Sequence, residues 1–311
     1  MKRFGFEHFG EPQVFTTITQ AAPQPKAGQV QLEVLGFGLN PYDASLRRGE
    51  QSGRPLKFPI VPGTDVVGRV AALGEGVSDY ALGDVVINYR PIGGYSEFVT
   101  ASTSKIIKKP EAMSFTTAAA LPLVGIAAFS ILNQLDLHEH DALVIIGAGG
   151  GIGSVLVQLA KAQGVHVVAI ANLSHHDQLK ALGADVILDD VEAQALRSHH
   201  YPAVVNVRYN GATTPLAQRL VASGGKLLTS AYVDVPAGDY QNLALTKMAP
   251  TDVALVALTA TARNFGLTLT IAESLPFTLE GVRRGHTLLD AGHVGGKLVV
   301  MQPDTVLNPA H

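Results

Sequence analysis

The chain has no cysteine among its 311 residues. That absence excludes disulfides, thiolate nucleophiles, cysteine-ligated zinc and iron–sulfur clusters together. Charge is sparse as well: charged residues make up 16%, and 23 Lys and Arg stand against 26 Asp and Glu, for a net charge of -3. No basic excess is left to neutralise a phosphate backbone, which argues against a nucleic-acid partner. Long apolar runs are missing too. Ala118 to Leu132 and Val253 to Ala262 fall short of the roughly 18 residues that a membrane span needs, and the opening MKRFGFEHFGEP has no apolar signal-peptide core. A cytoplasmic protein with no membrane partner is the expectation. Apolar residues are plentiful, at 47%, and 32 glycines and 17 prolines follow no triplet period. This composition predicts a turn-rich globular protein, and at roughly 150 residues per domain the length predicts two domains.

Up to about Lys109 the pattern is β-like, with Val30 to Leu35, Val66 to Ala72, Val85 to Asn88 and Tyr95 to Thr100 set off by Gly, Pro, Asn and Asp turns. Two helices are expected next, one from Ser114 to Leu121-Pro122 and one from Val124 to Leu132. After Asp141 the texture becomes strand, glycine turn, helix, strand: Ala142 to Ile146, Gly147 to Gly153, Val155 to Gln163, Val165 to Ile170. Further alternation follows through a helix ending at Leu179 to Leu182, strands Val186 to Leu188 and Val204 to Val207, a helix near Pro215 to Ala222 and a strand Lys226 to Ser230. A doubly wound parallel sheet is the natural reading. The tail from about Leu267 returns to a strand, an amphipathic helix and a last strand, expected to pack on the β-rich first half.

In ALVIIGAGGGIGSVLVQLAKAQG an apolar strand leads into a glycine cluster and straight out into a helix. Glycines there allow a tight turn and close approach of a pyrophosphate, which meets free N–H groups at the helix start. The literal GxGxxG spacing fails at Ile152, while Ala148, Gly150 and Gly153 fit an AxGxxG variant. Ala148, Gly149, Gly150, Gly151, Ile152 and Gly153 are therefore the expected cofactor-binding turn. The dinucleotide is chosen near the end of the second strand, at Ala171-Asn172-Leu173-Ser174-His175-His176. No acid stands there before Asp177 to accept from ribose hydroxyls, so NADPH is the expected cofactor. Asn172, Ser174 and His175 can donate to a 2'-phosphate; a solvated loop is the alternative for the histidines.

Several segments together resemble the zinc-independent quinone oxidoreductase branch of the medium-chain dehydrogenase/reductase superfamily. They are Gly38-Leu39-Asn40-Pro41-Tyr42-Asp43 with Arg47 to Gly49, Pro62-Gly63-Thr64-Asp65-Val66-Val67-Gly68, Val77 through Gly83-Asp84-Val85-Val86, and Gly93-Gly94-Tyr95-Ser96-Glu97-Phe98-Val99. Ala118-Ala119-Ala120-Leu121-Pro122, the glycine turn, Leu182-Gly183-Ala184-Asp185 and Gly292-His293-Val294-Gly295-Gly296-Lys297-Leu298 complete the series. The resemblance implies an α/β fold: a GroES-like β-rich catalytic domain over 1-118 and 268-311, and a doubly wound Rossmann NADP(H)-binding domain over 119-267. It also implies a homodimer. Zinc-dependent relatives place metal ligands at positions that look like Asn40 and Thr64 here. The resemblance carries Asn40 to the nicotinamide side of the cofactor and puts Tyr42 on the same loop, as acceptor-pocket wall, proton donor or packing residue. Ser230 joins the expected cofactor-binding set. Lys297 either reaches the cofactor phosphates or makes a surface ion pair.

Asp43 reads as a helix cap or loop anchor, and Asp65 and Asp84 as turn and strand-end residues. His138 with His140, His175-His176 and His199-His200 read as solvated connectors without a ligand triad. Three positions depart from the family: Ala127 in the LPxxGxTA segment, His175, and Arg208-Tyr209-Asn210-Gly211 after the strand Val204 to Val207. Without a metal, the acceptor must already be electrophilic, so the expected reaction is NADPH-dependent hydride transfer to quinones or other conjugated carbonyl compounds. The partner is then a small-molecule acceptor, a quinone or activated alkene. An enoyl or alkenal double-bond reductase and a weakly catalytic NADPH-binding regulatory protein are the alternatives. Turnover is expected to survive exhaustive chelation, with substoichiometric zinc by elemental analysis; a tightly bound equivalent whose removal abolishes turnover overturns this.

Overall fold

The computed structural model describes residues 1–50, 56–91, 93–208, 211–230, 235–245, 248–292 and 294–303. Tyr209, Asn210 and His293, singled out in the sequence, lie outside these. The chain divides into two compact units, Met1–Leu123 with Thr268–His311, and Val124–Leu267. The first division falls five residues later than the sequence suggested, and both positions lie inside one helix.

The first unit opens with β1 (Lys2–Gly5), β2 (Thr16–Thr19) and the long β3 (Gln29–Leu39). Helix α1 (Pro41–Arg48) follows, then β4 (Asp65–Leu73), β5 (Val85–Tyr89), β6 (Phe98–Ser102) and β7 (Ile106–Lys108). Tyr95, expected in a strand, precedes β6. Helix α1 starts where Pro41 supplies a preset φ and Asp43 accepts the Asn40 N–H at 3.0 Å, and it stops at Gly49, whose φ of 78° is left-handed. Asp43 thus serves the helix start from its third position, as half of a capping box.

Helix α2 (Phe115–Leu135) is one continuous helix where two were expected. Pro122 inside it removes one donor and crowds the carbonyl four residues back. The Leu123 N–H turns instead to the Asp65 carboxylate, at 2.9 Å, and the helix continues. Among the described residues this is the one helix long and apolar enough to cross a membrane, and it is mostly buried inside the protein. The helix is longer than the apolar stretch Ala118 to Leu132 because it runs three residues further at each end, from Phe115 to Leu135.

The second unit contains β8 (Ala142–Ile146), α3 (Gly151–Ala162), β9 (His166–Ile170), α4 (His176–Ala181) and β10 (Val186–Leu188). It continues with β11 (Tyr201–Asn206), α5 (Thr214–Leu220), β12 (Val221–Thr229), β13 (Gln241–Ala244) and α6 (Thr251–Phe265). The last two were not anticipated, and Val207 and Ser230 lie just beyond their expected strands. All six strands are parallel, in the order β10-β9-β8-β11-β12-β13. The chain winds outward in both directions from β8 and β11, which makes the carboxyl ends of those two strands the topological switch point.

The tail supplies β14 (Ile271–Pro276), α7 (Leu279–Ala291) and β15 (Lys297–Met301). β15 lies antiparallel to β3, Leu298 opposite Leu39, within a sheet ordered β14-β15-β3-β4-β5-β7, with β6 also on β3. β3 is buried along nearly its whole length because strands cover both its edges. The first and last stretches of chain therefore share one core.

Gly153 is the tightest point of the glycine turn: a Cβ there would lie 2.4 Å from the Gly147 carbonyl oxygen and 2.6 Å from Ala148 Cα. Both neighbours are backbone and cannot swing away. Gly153→Ala is expected to cost about 1–3 kcal/mol in stability, an overpacking penalty readable by denaturant unfolding. An unchanged midpoint would contradict the close helix–strand approach.

Candidate active site and cofactor cradle

In the first unit the ends of three adjacent strands bring Asn40, Thr64, Asp65 and Lys297 together. All four are buried. Asn40 Nδ2 donates to Thr64 Oγ1 at 3.1 Å and to Asp65 Oδ2 at 2.9 Å, and its carbonyl oxygen accepts from the Lys297 ammonium. Both amide hydrogens are thereby used. Lys297 Nζ lies 3.4 Å from the Leu39 carbonyl and 3.9 Å from Asp65 Oδ2. Burial raises the Asp65 pKa and lowers that of Lys297, and each charge counteracts the shift of the other. One expectation is narrowed here and another extended. Lys297 makes no surface ion pair: its ammonium is buried and faces a buried carboxylate. Asp65, the first residue of β4 as its strand-end reading has it, is also the hub of the cluster.

Tyr42 is 38% exposed on the first turn of α1. The Arg90 guanidinium sits 5.7 Å from its ring centroid and 5.5 Å from that of Tyr89, a cation held by two aromatic faces. Arg90 has a left-handed φ of 53°, and its N–H donates to the Thr64 carbonyl at 2.7 Å. That bond ties the exposed cation to the buried cluster. Sequence reading passed over Arg90; its position at the end of β5, opposite Thr64, is a matter of sheet register.

In the second unit Gly147 takes φ 89°, and the first-turn amides of α3 at Gly151, Ile152 and Gly153 have no partner within the helix. Ala148 is buried beneath the turn. His175 does approach the turn: a Cβ on Gly149 would meet its ring at 2.4 Å. Asn172 and Ser174 lie exposed on the same loop after β9. Three buried polar atoms at the carboxyl end of the sheet lack partners: Asn206 Nδ2 at the end of β11, Thr214 Oγ1 at the start of α5 and Ser230 Oγ just past β12. Free helix amides, a glycine cradle and unsatisfied donors fit the phosphates and hydroxyls of a dinucleotide.

Residues 26–111 match the alcohol dehydrogenase GroES-like domain. The chain is 31% identical over 308 residues to the chloroplast envelope quinone oxidoreductase homolog of Arabidopsis thaliana, covering 93% of this chain and 87% of that one. The chain belongs to the quinone oxidoreductase branch of the medium-chain dehydrogenase/reductase superfamily. The solved quinone oxidoreductase from Coxiella burnetii is 28% identical, with TM-score 0.82 over 97% of this chain and 99% of its own. The mycobacterial protein Rv1454c, solved in complex with NADPH, is 25% identical with TM-score 0.81, covering 97% of this chain and 100% of that one. This medium-chain family member is therefore an oxidoreductase enzyme, an α/β protein with a GroES-like domain and a Rossmann-like parallel sheet.

Beneath the Asn40 cluster runs a second set of buried groups. Asp43 Oδ1 accepts the Gly63 N–H at 3.2 Å, and its carboxyl hydrogen-bonds the Tyr95 hydroxyl, which lies 3.3 Å from His286 Nε2. The His286 ring packs 4.6 Å from Phe15, and its Nδ1 has no partner. Burial first, then the charge of Asp65, pushes Asp43 up to about 7. Burial, reinforced by Arg47 and Arg48, pushes His286 down to about 3. Both groups are thus neutral near pH 6. The Tyr95 hydroxyl stands between the Asp43 carboxyl and the imidazole.

The two shifts have opposite consequences for stability. Asp43 holds its proton more tightly when folded, so its contribution is full below about pH 3.8 and is lost as pH rises through 7. His286 resists its proton when folded, so its contribution is full above about pH 6.5 and is lost as pH falls toward 3. Relative to the parent chain, Asp43→Asn is expected to gain melting temperature as pH rises from 5 to 8, and His286→Gln to gain it as pH falls from 6.5 to 4. Slopes of the reverse sign in a thermal unfolding series would contradict the neutral pair.

Proposed function

We propose that this enzyme reduces quinones or other conjugated carbonyl compounds with NADPH, without a metal. The observation that carries the reading is the pairing of an exposed cation, Arg90, with Tyr42 above a cluster whose polar groups already satisfy one another. At the positions that resemble the zinc-ligand sites of relatives stand a neutral amide and a hydroxyl. A lysine ammonium already rests on that amide. A divalent cation there would face an ammonium and gain no thiolate or imidazole ligand, so Lewis-acid activation of an alcohol has no support from these residues.

NADPH, when bound, supplies the hydride. The chain's own residues then need only orient the acceptor and accommodate charge on its oxygen. A conjugated carbonyl spreads that charge over its π-system, and the Arg90 guanidinium offers a fixed positive counterpart with planar donors. Tyr42 can pass its phenolic proton to the same oxygen, with solvent as the alternative source. The glycine turn, the free α3 amides, Asn206 and Ser230 support dinucleotide binding. The absence of an acid at Asn172 to His176 favours the 2'-phosphorylated form.

The test follows deuterium from the reactive C4 position of labelled NADPH across a panel of quinones and α,β-unsaturated carbonyls. Label is expected to leave NADPH with at least one quinone. If none leaves with any acceptor, the enzyme reading of this site fails. Arg90→Ala is expected to lower kcat/KM by roughly 10- to 100-fold, the value of a charge-assisted hydrogen bond. In Tyr42→Phe a loss of about 100-fold marks a proton donor, and a rate within a few-fold assigns the proton to solvent.

A further inference from the structure

Arg208 is one of the residues at which this chain departs from its family, and the fold gives it a definite path. It lies two residues beyond the end of β11, and Asp190 lies two residues beyond the end of β10. Between those strands in the sheet stand β8 and β9. With neighbouring strands about 4.8 Å apart, β10 and β11 are separated by about 14 Å. Arg208 nonetheless reaches Asp190, Nη1 to Oδ2 at 2.8 Å. The two side chains together therefore span the carboxyl ends of β8 and β9. A Cβ on Gly147 would lie 3.0 Å from Arg208 Cγ, which puts the arm directly over the first glycine of the turn. Its base is fixed as well, since the Arg208 N–H donates to Asn206 Oδ1 at 3.2 Å.

The end of β9 is where a doubly wound sheet holds the adenosine ribose, and where the group on its 2' position is read. The loop that follows β9 offers no arginine or lysine there, and His175 packs its ring against Gly149. The arginine arriving from β11 fills this gap. We propose that Arg208 is the 2'-phosphate ligand of this enzyme, held over the ribose position by Asp190 until the phosphate takes it. The inference rests on the dinucleotide reading above and names the residue that makes it specific for a 2'-phosphorylated nucleotide.

The exchange is physically reasonable. The carboxylate is 49% exposed and the guanidinium 22% exposed, so the ion pair is partly screened by water and easily surrendered. A phosphate monoester carries up to two charges and binds guanidinium through two parallel hydrogen bonds, where this pair shows one. A nucleotide with a plain ribose brings no group that competes for the arginine. It meets instead a crevice spanned by an intact ion pair.

The experiment measures dissociation constants calorimetrically for NADPH, NADH, 2',5'-ADP and 5'-ADP, the last two reporting the 2'-phosphate without nicotinamide or turnover. Arg208→Gln is expected to weaken NADPH and 2',5'-ADP by at least about tenfold while leaving NADH and 5'-ADP within about threefold, as fits the loss of a charged hydrogen-bonding partner. Arg208→Lys should recover part of the selectivity. Asp190→Asn should tighten 2',5'-ADP more than 5'-ADP, since the arginine is then released in advance. The salt dependence of 2',5'-ADP binding should flatten in Arg208→Gln. Arg208→Gln with undiminished 2'-phosphate selectivity, or with all four ligands weakened alike, overturns the assignment and leaves the oxidoreductase reading standing. A parent chain that binds none of the four overturns both.

Discussion

The Asp65 carboxylate is the constraint on which the first unit depends. One oxygen takes the Leu123 N–H that Pro122 sets free, and the other takes the Asn40 side chain and faces Lys297. Through those contacts a single group at the start of β4 fixes the proline-containing stretch of α2, the end of β3 and the start of β15. Removing one member of a buried charge pair typically costs about 3–5 kcal/mol, because the survivor is left uncompensated. Asp65 and Lys297 lie 232 positions apart in the chain, so their pairing also secures the return of the C-terminal tail to the N-terminal sheet.

A second buried chain lies beneath the first and works by neutrality instead of charge. Asp43, Tyr95 and His286 are buried together, and burial pushes the acid up and the base down until neither carries charge near pH 6. Ionising both at once would place a carboxylate and an imidazolium in surroundings that already hold Arg47 and Asp65. Hydrogen bonding through one tyrosine links the pair at lower electrostatic cost, although His286 Nδ1 is left without a partner. Arg47 is the exception: its guanidinium is fully buried and joined to Asp290 by two contacts of 2.7 and 2.6 Å. These polar layers underlie the surface that carries Tyr42 and Arg90, so the candidate acceptor groups stand on a rigid floor.

The second unit obeys a different logic. Its sheet is built from parallel apolar strands whose side chains do little chemistry, and its reactive features all collect at the carboxyl ends. There the strand order reverses, the helix amides of α3 are free, and Asn206, Thr214 and Ser230 hold unsatisfied polar atoms. Buried donors without partners are uncommon in folded proteins, and a cluster of them in a crevice marks a place adapted to a ligand.

The sequence alone was enough for the parallel sheet, the glycine turn and the tail's strand–helix–strand, because each rests on local signals: an apolar strand before glycines, a periodic helix, a turn. Asn40, Tyr42 and His175 were legible as candidates for the same reason, being set in recognisable motifs. The helix through Pro122 was not, since a proline argues locally for a break and only a distant carboxylate removes the cost. Asp65, Lys297, Arg90, His286 and the Arg208–Asp190 pair were likewise undecidable from spacing. Their roles are fixed by strand register and by burial, which bring residues together from opposite ends of the chain or across two intervening strands. A sequence determines which residues can ionise, donate or bend; the tertiary structure decided which of them lost water and found each other, and that sets the chemistry they can perform.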